Sequence, residues 1–120
     1  MNNINQATQR VVKKHLNAFI LELGIDTILT DYHKHAVFIT PDKIYRGKEE
    51  IRCFFEKFIN TLPSDAINRF KLHSNQTSGD LAHIIWSVDD QVPLGTDTFV
   101  VRENKIVQQT FAMYAQAQKN

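Results

Sequence analysis

An acidic residue lies among apolar residues in the segment "GTDTFVVRENKIVQQTFAMY", which spans residues 95–114. The segment is typical of two strands joined by a tight turn at "EN". Because successive side chains of a strand point to opposite faces, Asp97 shares a face with Phe99 and Val101. A carboxylate that is buried without a partner becomes neutral, so its pKa rises. Asp97 is therefore a candidate for ligand contact or acid–base catalysis; the alternative is a hydrated or hydrogen-bonded structural acid.

The second candidate is a histidine in the first predicted helix. Val12, His15, Leu16 and Phe19 follow helical spacing, which places the imidazole in an otherwise apolar stripe. Histidine titrates near neutral pH, so His15 could serve as a general base if it faces Asp97. The alternative is a core histidine whose ring nitrogens are satisfied by neighbouring groups.

The remaining reactive side chains do not form a recognisable site. His33 and His35 lie at a helix-to-strand corner where their rings would diverge, and no third ligand is in register. Cys53 has no activating base nearby in the sequence. No glycine-rich phosphate loop, zinc spacing or nucleophile elbow is present. We therefore expect no metal and no cofactor.

Helices come first along the chain and strands follow. Helical spacing predicts three helices, around residues 12–23, 25–32 and 48–62, and two short strands, "AVFIT" and "IYR", separate the second helix from the third. From residue 66 onward the pattern changes to two hairpins, with turns at "SGD" and "EN". This order predicts an α+β domain in which the helices cover one face of a curved antiparallel sheet.

The covered face of this sheet is expected to form a pocket. Alternation along the strands places six side chains on it, namely Trp86, Asp97, Phe99, Gln109, Phe111 and Met113. An apolar concave surface with a few polar groups is typical of a small-molecule site.

Composition narrows the class of protein. The 120 residues carry 14 basic and 13 acidic side chains, well mixed, and predict one domain over residues 1–120. Without a basic stripe, nucleic acid is not an expected partner. No apolar stretch is long enough to span a bilayer and no secretory signal is recognisable, so we expect no membrane association. A single cysteine agrees with a reducing compartment, and we predict a cytoplasmic protein.

Two segments carry a resemblance to a known family. "LTDYHKHAVFITPDKIYRGKEEIRCFFEKF" together with "GTDTFVVRENKIVQQTFAMY" resembles the SnoaL-like, ketosteroid-isomerase-like branch of the nuclear-transport-factor-2-like superfamily. The resemblance implies a cystatin-like cone: a curved antiparallel sheet wrapped around three N-terminal helices, with a pocket at the wide end. It also implies a homodimer that pairs through the outer face of the sheet.

The resemblance transfers only in part to site residues. Asp97 in "DTF" occupies the place of the isomerase's catalytic acid, but Thr40 before Pro41 replaces its proton-shuttling base, and the tyrosine donor of the first helix falls near His15. A threonine cannot take up a proton near neutral pH, so steroid isomerisation by that mechanism is not expected. The expected pocket lining is completed by Tyr32, Phe38, Thr40 and Phe54.

Two functions follow as alternatives. The first is a pocket for a small, mostly apolar molecule that carries a carbonyl or hydroxyl group, with cofactor-free proton transfer of the isomerase or cyclase type as its chemistry. The second is a non-catalytic dimerisation or protein-interaction module with a vestigial pocket. An open cavity with Asp97 directed inward would favour the first function. A filled interior and a large apolar patch on the outer sheet face would favour the second.

Overall fold

The computed structural model describes residues 3–62 and 65–116, which form four helices and six strands. Their order along the chain is α1 (Asn3–Ile20), α2 (Ile25–Leu29), β1 (Tyr32–Ile39), β2 (Ile44–Arg46), α3 (Gly47–Thr61), α4 (Ala66–Arg69), β3 (Phe70–Ser78), β4 (Leu81–Val88), β5 (Val92–Arg102) and β6 (Lys105–Tyr114).

The six strands form one curved, unclosed sheet in the order β2-β1-β6-β5-β4-β3. The predicted α+β class is thereby confirmed, with the helices concentrated in the N-terminal half. One pairing differs from the expected antiparallel sheet: β1 and β6 run parallel, whereas the other four neighbouring pairs are antiparallel. A parallel pair requires a long connection, and here the chain passes through α3 and the hairpins before it returns to β1.

Helices α1 and α3 cover the inner face of the sheet. Helix α1 buries Val11, Val12, His15 and Ala18, which recur every three or four residues. Helix α3 buries Ile51 and Phe55 in the same way. Each large apolar side chain taken out of water contributes about 1.5–3 kcal/mol, so these stripes hold the helices on the sheet.

Several element boundaries differ from the sequence prediction; α1, for example, spans Asn3–Ile20 and not residues 12–23. Tyr32, which the spacing assigned to the second helix, is the first residue of β1. Helix α2 ends earlier because Thr30 and Asp31 form a turn, in which their backbone N–H groups donate to carbonyls of α2. The strand predicted to begin near Ile67 is preceded by the short helix α4, and β3 begins only at Phe70.

Alternation along β5 and β6 is interrupted once. The register shifts between the pairs Val100–Gln108 and Val101–Ile106, which leaves Val107 as an extra residue in β6. This bulge returns Ile106 to the buried face, on which Gln109 also lies. Asp97 precedes the register shift on β5 and Gln109 follows it on the antiparallel β6, so both lie in the same uninterrupted stretch of pairing and their shared face is unaffected.

Across the described part of the chain, no helix combines the length and apolar character that crossing a bilayer would require.

Candidate functional site

A cavity of about 70 Å³ lies between the helices and the inner face of the sheet. Its wall is mostly aromatic and includes Phe38, Phe54, Phe55, Phe58, Trp86 and Phe111. The polar side chains that line it in the described residues are His15, Asp97 and Gln109. The cavity is therefore an apolar space with one acid, one imidazole and one amide.

Asp97 reaches this cavity from the middle of the sheet. It lies on β5 between Ile84 of β4 and Phe111 of β6, which are its direct cross-strand neighbours. Only 7% of the residue is exposed. The structure thus places the carboxylate on the covered face, the side that strand alternation indicated.

Trp86 holds one oxygen of the carboxylate. Its indole N–H donates to Asp97 Oδ2 at 2.8 Å. The indole can reach this oxygen because its cross-strand partner is Gly95: a Cβ on that residue would come within 2.3 Å of the Trp86 ring. Gly95 therefore lets the ring lie flat on the backbone of β5 and extend toward Asp97, two residues further along the same face.

Gln109 holds the other oxygen. Its Nε2 donates to Asp97 Oδ1 at 3.0 Å, and its Oε1 accepts a hydrogen bond from the hydroxyl of Tyr32 at 2.5 Å. Gln109 is 4% exposed, so both ends of the amide are paired away from solvent. The carboxylate of Asp97 is consequently fixed by two donors from two different strands.

The surroundings of Asp97 shift its acidity in opposite directions. Burial raises the pKa of Asp97 above its ordinary value, because desolvation penalises the charged form. The hydrogen bonds from Trp86 and Gln109, and the imidazoles of His15 and His83, favour the charged form and offset part of that rise. The net effect is a raised pKa, which makes the protonated acid more accessible than in water.

His15 lines the same cavity without contacting Asp97 directly. Its Nδ1 lies 3.1 Å from Asp31 Oδ2, and its Nε2 lies 3.4 Å from the hydroxyl of Tyr32. The ring is also packed edge-on against Phe19 and Phe99. The predicted direct pairing of His15 with Asp97 is therefore absent, and the two are joined through Tyr32 and Gln109 instead.

Asp31 is a buried polar residue of this region that was not predicted from the sequence. It is 2% exposed and lies between His15 and Lys14, whose Nζ is 3.1 Å from Asp31 Oδ1. Its position at the end of the second predicted helix gave no sign of burial, because helix α1 and the start of β1 are brought together only by the tertiary fold. The one usable signal was that a buried histidine requires a partner.

The other predicted pocket residues have different outcomes. Phe38, Phe54, Phe99 and Phe111 line the cavity, as do Trp86 and Gln109. Tyr32 is fully buried and contacts Gln109, but it does not line the cavity. Burial raises the pKa of Tyr32 well above the ordinary value for tyrosine. Met113 packs against the core without lining the cavity.

Thr40 lies in a turn and not in the cavity wall. Its hydroxyl donates to the carbonyl of Lys43 and accepts from the backbone N–H groups of Asp42 and Lys43. The placement expected from the family resemblance is therefore wrong for this side chain, because the β1–β2 turn uses it locally.

Nothing in residues 3–62 and 65–116 brings three His, Cys, Asp or Glu side chains together in a way that could hold a metal ion. The rings of His33 and His35 are 5.7 Å apart, and His33 Nδ1 accepts the backbone N–H of His35. One ring nitrogen of this pair is thus already used within the strand.

Comparison with known proteins gives a fold and no close relative. No protein-family model matches the sequence, and no curated protein matches it either. Among solved structures, a nuclear-transport-factor-2-like protein of unknown function from Burkholderia xenovorans superposes with a TM-score of 0.73 at 14% identity, over 96% of this chain and 88% of that one.

Two further structures agree with it. A SnoaL-like protein of unknown function from Burkholderia thailandensis gives a TM-score of 0.73 at 16% identity, covering 92% of this chain and 96% of that chain. A putative ketosteroid isomerase from Kribbella flavida gives a TM-score of 0.70 at 11% identity, covering 97% of this chain and 84% of that chain. At such identities the likeness concerns the fold alone. The chain has the nuclear-transport-factor-2-like fold that SnoaL-like and ketosteroid-isomerase-like proteins share.

Proposed function

We propose that the cavity binds a small, mostly apolar molecule that carries a carbonyl or hydroxyl group, with Asp97 as its polar anchor. The observation that supports this function is the position of Asp97: a buried carboxylate that faces an aromatic cavity while two donors hold it from the sheet side. Aromatic walls with one fixed polar group are typical of sites that orient an apolar ligand.

The hydrogen bonds of Asp97 define what the ligand can offer. Trp86 and Gln109 both donate to the carboxylate. A proton on Asp97 therefore has no acceptor on the sheet side in this arrangement, and a ligand carbonyl in the cavity would supply one. When Asp97 is ionised, it would instead accept a hydrogen bond from a ligand hydroxyl.

The raised pKa of Asp97 supports cofactor-free proton transfer as the chemistry of the site. A carboxylic acid near a carbonyl oxygen stabilises the negative charge that develops there when a neighbouring C–H bond is broken. This is the step that isomerase- and cyclase-type reactions share. His15 lines the same cavity and is the other group able to exchange a proton there.

The size of the cavity limits the ligand. An apolar cavity of about 150 Å³ holds benzene, and pockets for drug-sized ligands run to about 300–1,000 Å³. The space of about 70 Å³ found here suits a molecule of a few heavy atoms, or a single ring if the phenylalanine side chains move outward. We therefore propose a ligand of single-ring size or smaller, and not a steroid.

A thermal-shift experiment with matched ligands tests the proposal. We expect cyclohexanone to raise the melting temperature of the wild-type protein more than methylcyclohexane does, since both fill the same volume and only the ketone can pair with Asp97. The preference should disappear in Asp97→Leu and persist in Asp89→Asn, which changes an exposed acid. Equal shifts from the two ligands, or a preference retained in Asp97→Leu, would exclude Asp97 as the anchor.

A non-catalytic interaction module is the second candidate, and exposed apolar side chains on the outer sheet face favour it. Leu94 and Tyr114 are cross-strand partners there and are 49% and 61% exposed. We propose that this face forms a homodimer. Sedimentation of the wild type and of a Leu94→Lys, Tyr114→Ser variant tests it: the wild type should be dimeric and the variant monomeric, and a monomeric wild type would remove the proposal.

A further inference from the structure

A buried chain of hydrogen-bonded side chains runs from the cavity to helix α1. It links Asp97 Oδ1 to Gln109 Nε2 at 3.0 Å, Gln109 Oε1 to the Tyr32 hydroxyl at 2.5 Å, and Tyr32 to His15 Nε2 at 3.4 Å. His15 Nδ1 then lies 3.1 Å from Asp31 Oδ2. All five residues are buried, so a donor facing a donor, or an acceptor facing an acceptor, has no water to relieve it.

The direction of these bonds determines where the protons lie. Gln109 donates to Asp97, so its carbonyl oxygen faces Tyr32 and must receive the single hydroxyl proton of that residue. The oxygen of Tyr32 can then only accept from His15, which requires a proton on Nε2. Nδ1 of His15 faces the carboxylate of Asp31 and carries a second proton. In this arrangement His15 is a cation and Asp97 is an anion.

Rotating the Gln109 amide by half a turn reverses the whole chain. The amide oxygen then faces Asp97, which must carry a proton to donate to it, and the amide nitrogen donates to Tyr32. The hydroxyl of Tyr32 now donates to His15 Nε2, which must therefore carry no proton. In this second arrangement both Asp97 and His15 are neutral. The bonds from Trp86 to Asp97 and from His15 to Asp31 are the same in both.

The two other combinations are disfavoured. If Asp97 and His15 both lose their protons, one acceptor faces another, either at Tyr32 or at Gln109. If both carry a proton and the cavity holds no acceptor, one donor faces another. A mismatched buried pair costs about 1–3 kcal/mol, which is enough to depopulate these combinations.

We propose that Gln109 is the switch of this chain and that, by rotating its amide, it makes Asp97 and His15 share one proton. When Asp97 takes up a proton on the cavity side, His15 releases one, and the number of protons held by the pair stays constant. The proton that His15 releases is the one on Nε2, because Nδ1 keeps its proton toward Asp31 in both arrangements, and it leaves through the cavity that His15 lines. The coupling is independent of the ligand proposed above.

The charged and titratable groups around the two ends come from several elements. Asp97 is faced by His15 from α1 and Tyr32 from β1, and His83 of β4, on the other face of the sheet, acts on it electrostatically. His15 is faced by Tyr32 and by Asp31, which precedes β1 and is itself paired with Lys14 of α1. These groups set which of the two arrangements is favoured, whereas the hydrogen-bond chain requires that the two changes occur together.

Nuclear magnetic resonance of the ligand-free wild type tests the coupling directly. The ¹⁵N shifts of the His15 ring and the ¹³Cγ shift of Asp97 report the two protonation states as pH is varied. Because the pair holds one proton in both arrangements, pH does not shift the balance between them, so we expect the protonated fractions of Asp97 and of His15 Nε2 to sum to one and to stay constant across neutral pH. Loss of the His15 Nε2 proton across neutral pH while the Asp97 signal stays unchanged would overturn the proposal, whatever the outcome of the ligand experiments.

Variants separate the hydrogen-bond chain from simple charge attraction. Asp97→Asn and Asp97→Leu remove the same charge, but only asparagine places an NH₂ group that imposes the second orientation on Gln109. We expect His15 to lose its Nε2 proton about three- to tenfold more readily in Asp97→Asn than in Asp97→Leu, the equivalent of one hydrogen bond. In a Tyr32→Phe background, where the chain is cut, the two substitutions should have the same effect. A persistent difference there, or none in the parent background, would contradict the proposed switch.

Discussion

The two sides of the sheet place very different constraints on neighbouring residues of the same strand. On β1, Phe38 is 1% exposed and packs against Phe54 and Phe55, whereas Ile39, the next residue, is 43% exposed. Polar groups differ in the same way: buried Asp97 has a partner for each oxygen, and the ion pairs formed by exposed acids lie in water. The two oxygens of Asp97 are therefore held in place on the covered side, which is where the proposed ligand site lies.

The largest difference in stability between two variants is expected when Phe38 and Ile39, neighbours on β1, are each truncated to alanine. Phe38→Ala should lower the free energy of unfolding by about 3–5 kcal/mol, because it removes a fully buried ring and leaves a void in the aromatic cluster. Ile39→Ala should cost less than about 1 kcal/mol, since much of its side chain is already in water. Chemical denaturation of both variants makes this comparison, and similar losses would show that the outer face is also buried.

The next difference concerns two acids in ion pairs. Asp31→Ala should destabilise the protein by about 3 kcal/mol, because it leaves the buried His15 ring without the partner of its Nδ1. Asp26→Ala breaks an exposed pair with Arg52 and a favourable helix-dipole contact, and should cost about 0.3–1 kcal/mol. Urea denaturation at neutral pH measures both. An Asp31 variant no less stable than the Asp26 variant would mean that His15 has another partner.

A smaller effect is expected at the glycine beneath Trp86. Gly95→Ala should cost about 1–3 kcal/mol, because the added methyl group pushes the indole off the backbone of β5. The displaced indole N–H would also leave Asp97, so the fluorescence of this single tryptophan should change. Thr96→Ala, on the other face of the same strand, is the control and should change neither the packing of Trp86 nor its fluorescence. Unchanged fluorescence in Gly95→Ala would show that the ring position does not depend on this glycine.

The smallest effect is the pH dependence contributed by Asp97. Burial raises its pKa in the folded protein above the ordinary value of 3.8, so the folded state binds the proton more tightly than the unfolded state. This stabilisation is full below 3.8 and is lost as pH rises through the folded pKa. The unfolding free energy of the wild type minus that of Asp97→Asn should therefore decrease as pH rises above 3.8. A difference that grows over this range would mean that the pKa is depressed.

Strand alternation explains why much of the cavity could be predicted from sequence. The side-chain period of two places Asp97 with Phe99, and Gln109 with Phe111, without any knowledge of strand pairing. Helical spacing likewise placed His15 toward the interior. These positions depend on local geometry, which a sequence specifies directly.

The hydrogen-bond partners of the site residues could not be predicted, because they depend on contacts between segments that are distant in the sequence. The parallel pairing of β1 with β6 brings Tyr32 behind Gln109, 77 residues later in the chain, and no spacing rule indicates it. Asp31 meets His15 only because α1 lies across the start of β1. Thr40 was placed by a family pattern, but its hydroxyl is used by its own turn. Local periodicity therefore predicted which face of a strand or helix each side chain occupies, whereas long-range pairings determined which side chains contact one another.

The central claim is that Asp97 binds the ligand through its own proton. The most direct measurement follows the ¹³Cγ signal of Asp97 during a pH titration, with and without cyclohexanone, and with methylcyclohexane as the control. A carbonyl that accepts the proton of Asp97 stabilises the acid form, so we predict a higher midpoint with the ketone and no change with the hydrocarbon. A midpoint that neither ligand moves, or that both move equally, would contradict the claim.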